Sequence, residues 1–264
     1  MGNITFLIGN GFDLNAGLKT SYINFYETYA KLPSNSKTIE KFKKEILRSE
    51  AYGWKDWADF EIGMGEKSTL FEGEEAPEEF LECFNDFSVN FHNYLQNECL
   101  KVDWDLVDVE SEIIKKFLHS INNFHDDLKT SKKNEILATI ANKQRRINFL
   151  QLNYTDVLDK LYANTNLSKF GKNLHIHGNI GGGYHTIGVD TIEQIKNENI
   201  RNSEKVQTIF VKPQFSDLLK KNNIHHGNER DEALSIIKSS TIICAFGTSL
   251  GETDGFWWEK IGRW

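Results

Sequence analysis

Apolar residues in this chain follow two rhythms. Ile4 to Ile8 is a short, continuous apolar run that stops at Gly9-Asn10-Gly11, the pattern of a strand covered on both faces in a parallel sheet. The stretch SYINFYETYAKL then places Tyr22, Phe25, Tyr26 and Tyr29 at helical spacing, with Ser21 suited to the N-cap. Phe80, Phe84, Phe87, Phe91 and Leu95 recur at steps of three and four behind Pro77, which predicts a long helix with an aromatic core face. A second helix is predicted from Asp108 to Leu128, with Ile113, Phe117, Ile121 and Phe124 turned inward.

Strands are predicted again at Ile147–Thr155, Asn173–Ile180, His185–Val189, Gln207–Val211 and Thr241–Leu250. Helical segments such as TDVLDKLYANT and ERDEALSIIKSS separate several of them. Strands alternating with helices predict a three-layer, Rossmann-like α/β domain with a mostly parallel sheet. The chain reads as one domain over residues 1–264, with a large helical insertion over residues 34–145.

Composition narrows the function. A net charge of -7 argues against a general nucleic-acid binder, which needs a basic footprint; the run Lys143 to Arg146 reads as a solvated helix end. The first residues carry no basic leader and no window is long enough to cross a bilayer, which predicts a cytoplasmic protein. Cys83, Cys99 and Cys244 show no paired spacing and read as reduced core thiols.

Four apolar segments share one design, running out into polar or glycine residues: Ile4–Ile8 into GNGFD, Phe149–Leu152 into NYTD, Leu174–Ile176 into HGN, and Ile242–Phe246 into GTSL. In an open α/β sheet, ligands bind outside the carboxyl ends of the strands, so these tails are expected to meet at one site. The glycines of the first tail would let backbone N–H groups approach a phosphate, although Gly17 stands too far along for the dehydrogenase fingerprint. Asp59 and Glu61 lie among Trp54, Trp57 and Phe60 and are further carboxylate candidates.

GNGFDLNAGLKTSY, NYTDVLDKLY, HIHG and FGTSLGETD resemble, in order and spacing, the bacteriophage abortive infection AbiH family, from about Ile4 to Asp254. A more distant resemblance is to the SIR2-like, sirtuin-type NAD-binding fold. The resemblance implies defence against phage by stopping growth of the infected cell. It also implies NAD or a related nucleotide as ligand or substrate, with hydrolysis of the nicotinamide–ribose bond (an NADase); a catalytically inactive sensing or partner-binding module is the alternative. A second copy of the chain or a phage-derived trigger would be the partner.

Carried over by position, Gly9, Asn10, Gly11 and Phe12 would form the phosphate loop, and Asn153 would hold ribose or water. His177 before Gly178 would be the catalytic histidine, and Gly247, Thr248 and Ser249 the loop on the adenosine side. Asp13 stands where a serine would follow the glycine loop, and it offers negative charge to a cationic transition state. Thr155 occupies the place of an expected aspartate, with Asp156 one residue late. The absence of zinc-finger cysteines argues against a protein deacylase. His175 and His177, two apart, could share a metal with His185 or the pair His225–His226, but no carboxylate or cysteine spacing supports it and no metal is expected. His175 reads as a hydrogen-bonded core residue, and Asp156 is as well suited to capping the next helix as to catalysis.

Overall fold

The computed structural model describes all residues except 1, 35, 50–52, 54, 56–58, 105–106, 108–110, 142–144, 166–168, 183 and 222–227. The expectations for Trp54, Trp57, Asp108, Lys143, Gln144, His225 and His226 therefore lie outside the described residues.

Four strands build the main sheet: β1 (Gly2–Ile8), β2 (Arg145–Gln151), β3 (Phe170–His175) and, after a small hairpin, β6 (Ile242–Phe246). Their order is β3-β2-β1-β6, and every pairing is parallel. Ile4 lies beside Ile147 and Ile242, and Ile8 beside Gln151 and Phe246. The hairpin is β4 (Gly178–Asn179) against β5 (Tyr184–His185), antiparallel.

Helices precede and cover the sheet. In chain order these are α1 (Gly11–Asn15), α2 (Tyr22–Tyr29), α3 (Lys37–Arg48), α4 (Phe60–Glu66), α5 (Ala76–Cys99), α6 (Glu112–Asn122) and α7 (Thr130–Ile140), all between β1 and β2. After β2 come α8 (Val157–Thr165), α9 (Glu198–Arg201), α10 (Glu204–Phe210), α11 (Lys212–Lys221), α12 (Glu229–Ser239) and α13 (Gly255–Gly262). Successive side chains of a strand point to opposite faces. Ile4, Phe6, Ile8, Ile147 and Phe149 accordingly join one apolar cluster with α2, α5, α6 and α8, while Leu7 and Leu150 join another with α12 and α13. Two helical layers with the sheet between them give a mixed α/β fold of the Rossmann-like kind.

The local signals act as the pattern predicts where they are strong. Ser21 caps α2 by accepting the Asn24 N–H. Pro77 sits in the first turn of α5, and Phe80, Phe84, Phe87 and Phe91 are all buried. The second predicted helix is the shorter α6, in which Phe117 and Ile121 are buried with Ile114 while Ile113 is only partly covered; Phe124, also partly covered, lies beyond its end.

Three strand expectations change. Gln207–Val211 is helical: Ser203 caps α10 by accepting the Val206 N–H, and Val206 and Phe210, four apart, are its buried face. Only Val211 bridges in strand fashion, to Val189, and His185–Val189 otherwise contributes just its first residue to β5. Asn173–Ile180 is broken after His175 because Gly178, at φ 71°, redirects the chain into the hairpin. Among the described residues, no helix is long and apolar enough to cross a membrane.

Candidate functional site

Because β1, β2, β3 and β6 are parallel, their carboxyl ends share one edge of the sheet. A cleft of about 550 Å³ opens there, lined by Gly9, Asn10, Gly11 and Asp13 after β1, by Leu152 to Thr155 after β2, by His177 after β3, and by Gly247, Thr248 and Ser249 after β6. Tyr22, Asp59, Glu61 and Phe91 come from the helical layer, and Lys212, Thr253 and Asp254 complete the wall. Of the candidate residues, Phe12 and Gly178 stand outside this lining. The Phe12 ring turns into the core against Phe117 and Phe246, and Gly178 pairs with His185 in the hairpin.

The glycines at the end of β1 serve a contact between two loops. The Gly9 N–H donates to the Phe246 carbonyl at 3.0 Å, the Gly11 N–H to the Gly247 carbonyl at 2.7 Å, and the Phe12 N–H to the Gly9 carbonyl at 2.9 Å. A β-carbon on Gly9 would lie 2.5 Å from the Thr248 Cα, and one on Gly11 2.6 Å from the Gly247 Cα. Gly247 itself, at φ 62°, occupies the left-handed region that glycine tolerates best. These three backbone donors are thus consumed inside the protein. Asn10 turns its side chain to Thr20, accepting the hydroxyl at 2.5 Å.

Asp13 is the most buried carboxylate of the site, 1% exposed. It accepts the Thr155 hydroxyl at 2.6 Å and the Asn153 amide at 3.1 Å. Burial raises its pKa to about 7, against the smaller opposing pull of those two hydrogen bonds. A carboxyl held there can take or give a proton at neutral pH. Thr155, in the place of an expected aspartate, therefore anchors Asp13. The other amide atom of Asn153, Oδ1, is buried in the cleft wall without a partner, so it has unfilled capacity to accept a hydrogen bond from a ligand.

A second cluster faces it. Lys212 Nζ, at the first residue of α11, lies 3.3 Å from Glu61 Oε1 and 3.2 Å from Asp254 Oδ1 and donates to the Thr253 carbonyl at 2.9 Å. Glu61 Oε1 also accepts the Tyr154 hydroxyl at 3.1 Å and the Gly188 N–H at 3.2 Å. Burial pushes Glu61 up to about 7 although Lys212 pulls the other way. Burial also opposes the charges of Lys212 and Asp254, yet their attraction outweighs it: the ammonium is held above its ordinary value and Asp254 below.

His177 Nε2 lies 3.2 Å from Asp254 Oδ1. Burial and the nearby Lys212 lower its pKa to about 4, so the ring is neutral at pH 7, and its hydrogen bond is to the Leu152 backbone. His175 points elsewhere, bonded to Asp159 at 2.7 Å and to the Asn153 carbonyl at 3.1 Å, a hydrogen-bonded core histidine separated from His177 in role. Among the described residues, no group of three or more His, Cys, Asp or Glu side chains is placed to hold a metal ion.

Sequence reasoning missed Lys212 and Asp254. Lys212 follows a β-branched run that reads as a strand, and a single lysine before Pro213 carries no local signal. Asp254 closes the last of the four resembling motifs, and its position there was the one available pointer.

Fold and cleft together define an α/β protein with a ligand-sized site at the carboxyl ends of parallel strands. A family model, Bacteriophage abortive infection AbiH, matches residues 5–263. The chain belongs to the AbiH family. Comparison with curated proteins and with solved structures finds no match.

Proposed function

We propose that this protein is an anti-phage abortive-infection effector whose cleft takes the ribosyl end of NAD or a related nucleotide and hydrolyses the nicotinamide–ribose bond. The observation that carries this reading is Asp13: buried, with a pKa near neutrality, and joined to Asn153, whose Oδ1 awaits a donor. Nicotinamide leaves a pyridinium cation as a neutral base, so no acid is required. What the bond needs is a group to orient the ribose, negative charge near an oxocarbenium-like transition state and an acceptor for the proton of water. Asn153 supplies the first through its free acceptor, and Asp13 the other two. His177 and Asp254, 3.2 Å apart, belong to the opposite wall.

The cleft volume lies within the range of small-molecule sites, roughly 300–1,000 Å³. Its carboxylates suit a cationic nicotinamide ribosyl group. The diphosphate fits the inner wall poorly, since Asp13, Glu61 and Asp254 are there and the N–H groups of Gly9, Gly11 and Phe12 are engaged. It would lie toward the mouth beside Ser249, since the Thr20, Ser21 and Thr248 hydroxyls donate to Asn10, Asn24 and the Ser249 carbonyl.

A binding-only module is the second reading, favoured by the lowered pKa of His177, which makes its neutral ring a weak base at pH 7. Nicotinamide release from NAD decides between them, measured by chromatography for wild type, Asp13→Asn, Asn153→Ala and His177→Ala, with and without phage lysate, beside calorimetric NAD titration. Hydrolysis predicts turnover in wild type and a loss of roughly 10²–10⁴-fold in Asp13→Asn with binding largely kept. Turnover surviving in every variant, or wild type that neither binds nor cleaves NAD, overturns the reading; binding without turnover selects the sensor.

A further inference from the structure

A second cavity, of about 320 Å³, lies between α5 and the β4–β5 hairpin, lined by Asn85, Ser88, Val89, His92 and Asn93 on one side and His185 to Ile187 on the other. His92 and His185 meet across it, Nδ1 to Nδ1 at 3.4 Å, with ring centroids 5.2 Å apart and 28° between the planes. We propose that His92 and His185 are the protein half of a divalent transition-metal site that staples the helical layer to the hairpin.

The distances are those of two ligands on one ion. Imidazole nitrogens bound at about 2.0–2.1 Å and separated by a tetrahedral angle lie about 3.3–3.4 Å apart, with centroids about 5.2 Å apart. A straight Nδ1–H···Nδ1 hydrogen bond of the observed length would instead put the centroids about 5.7 Å apart, and it is longer than a good hydrogen bond, roughly 3.2 Å at most. Asn85, Ser88 and His92 fall on one face of α5, three and four residues apart. The Ser88 hydroxyl is buried with no partner and lines the same cavity, placed to hold a metal-bound water; water would fill the remaining positions.

Imidazole selects zinc, copper, nickel or cobalt over magnesium or calcium. Ligand spacing along the chain gives no sign of this pair, because the two histidines are 93 residues apart. The site would act on the cleft through Tyr154, whose ring meets His185 at 5.6 Å while its hydroxyl bonds Glu61. It would also fix β5 against Gly178, the residue after His177. None of this depends on what the cleft binds.

The full chain, stripped with chelator, is titrated with Zn²⁺ and followed by native mass spectrometry and competition with a chelating dye; Co²⁺ is followed by visible absorption. One Zn²⁺ per chain and the intense cobalt bands of a tetrahedral N/O site are expected. His92→Ala and His185→Ala should each weaken zinc binding by roughly tenfold or more, and His119→Ala, at an exposed histidine, should not. Wild type binding zinc no more tightly than the double variant, or His119→Ala losing as much, overturns the proposal. Should a variant fail to fold by circular dichroism, the wild-type cobalt spectrum decides alone: a weak, water-like spectrum refutes the site.

Discussion

Replacing Asp13 by Asn tests the electrostatics of the cleft without changing its shape. In the unfolded chain the carboxyl titrates near the ordinary value of 3.8, and in the folded protein near 7. A raised folded pKa means that the folded state holds its proton more tightly. The associated stability is therefore fully present below pH about 4, is lost as pH rises through 7, and changes no further above that. Between about pH 5 and about pH 8 the loss integrates to roughly 2–3 kcal/mol, at up to about 1.4 kcal/mol per pH unit. Asn153 and Thr155 donate to Asp13, and the single amide oxygen that the substitution leaves can accept only part of that pair, a constant cost of about 1 kcal/mol. By pH 5 wild type has already lost about 1.6 kcal/mol, more than that constant cost, so Asp13→Asn should be near neutral or slightly stabilising at pH 5 and should gain roughly a further 2–3 kcal/mol on wild type by pH 8. Urea unfolding of both proteins across this range, with the slopes compared for two-state behaviour, reads the difference directly. Glu61 titrates in both proteins and drops out. A difference between variant and wild type that stays flat from pH 5 to 8 would refute a perturbed Asp13, and with it the proton acceptor assigned to the cleft.

Lys212→Met leaves Glu61 and Asp254 buried without their cation, and should cost about 3–5 kcal/mol at neutral pH, with a smaller loss at pH 5 where Glu61 is protonated; urea unfolding at the two pH values is the check, and a cost below about 1 kcal/mol would show that water already solvates the trio. Gly247→Ala should destabilise by at least about 2 kcal/mol more than Gly17→Ala in thermal unfolding, because both have positive φ but only the new β-carbon at 247 meets backbone, 2.5 Å from the Phe12 nitrogen, whereas Gly17 has open space. Equal losses would mean that the two loops part to make room.

How far the chain announces this structure depends on the range of each signal. The four strand tails were legible because a parallel sheet must bring like ends together, and Gly9, Asn153, His177 and Gly247 do line one cleft. The aromatic face of α5 was legible because its period is local. Gln207–Val211 misleads for the same reason: Thr208, Ile209 and Val211 favour a strand, but the Ser203 cap and the burial of Val206 and Phe210 against the helical layer settle on a helix. The partners of Lys212 were not legible, since Glu61, Thr253 and Asp254 come from segments with no common pattern. Nor was the true duty of Gly9 and Gly11. A glycine needed for close packing of two loops looks, in sequence, the same as one needed for a phosphate.

The pairing of β1 with β6, locked by the Gly9, Gly11 and Gly247 contacts, sets the order in which the protein comes to exist. The first strand leaves the ribosome long before either of its neighbours, and it has to wait without a pairing partner while α1 to α7 are made. Contacts so distant in sequence form slowly. The wall that carries Thr248 and Ser249 is translated last among the strand tails, so a nascent or truncated chain holds Asp13 and Asn153 without the opposite lip of the cleft. In a chain built in this way the cleft is closed only when the last strand has joined the sheet.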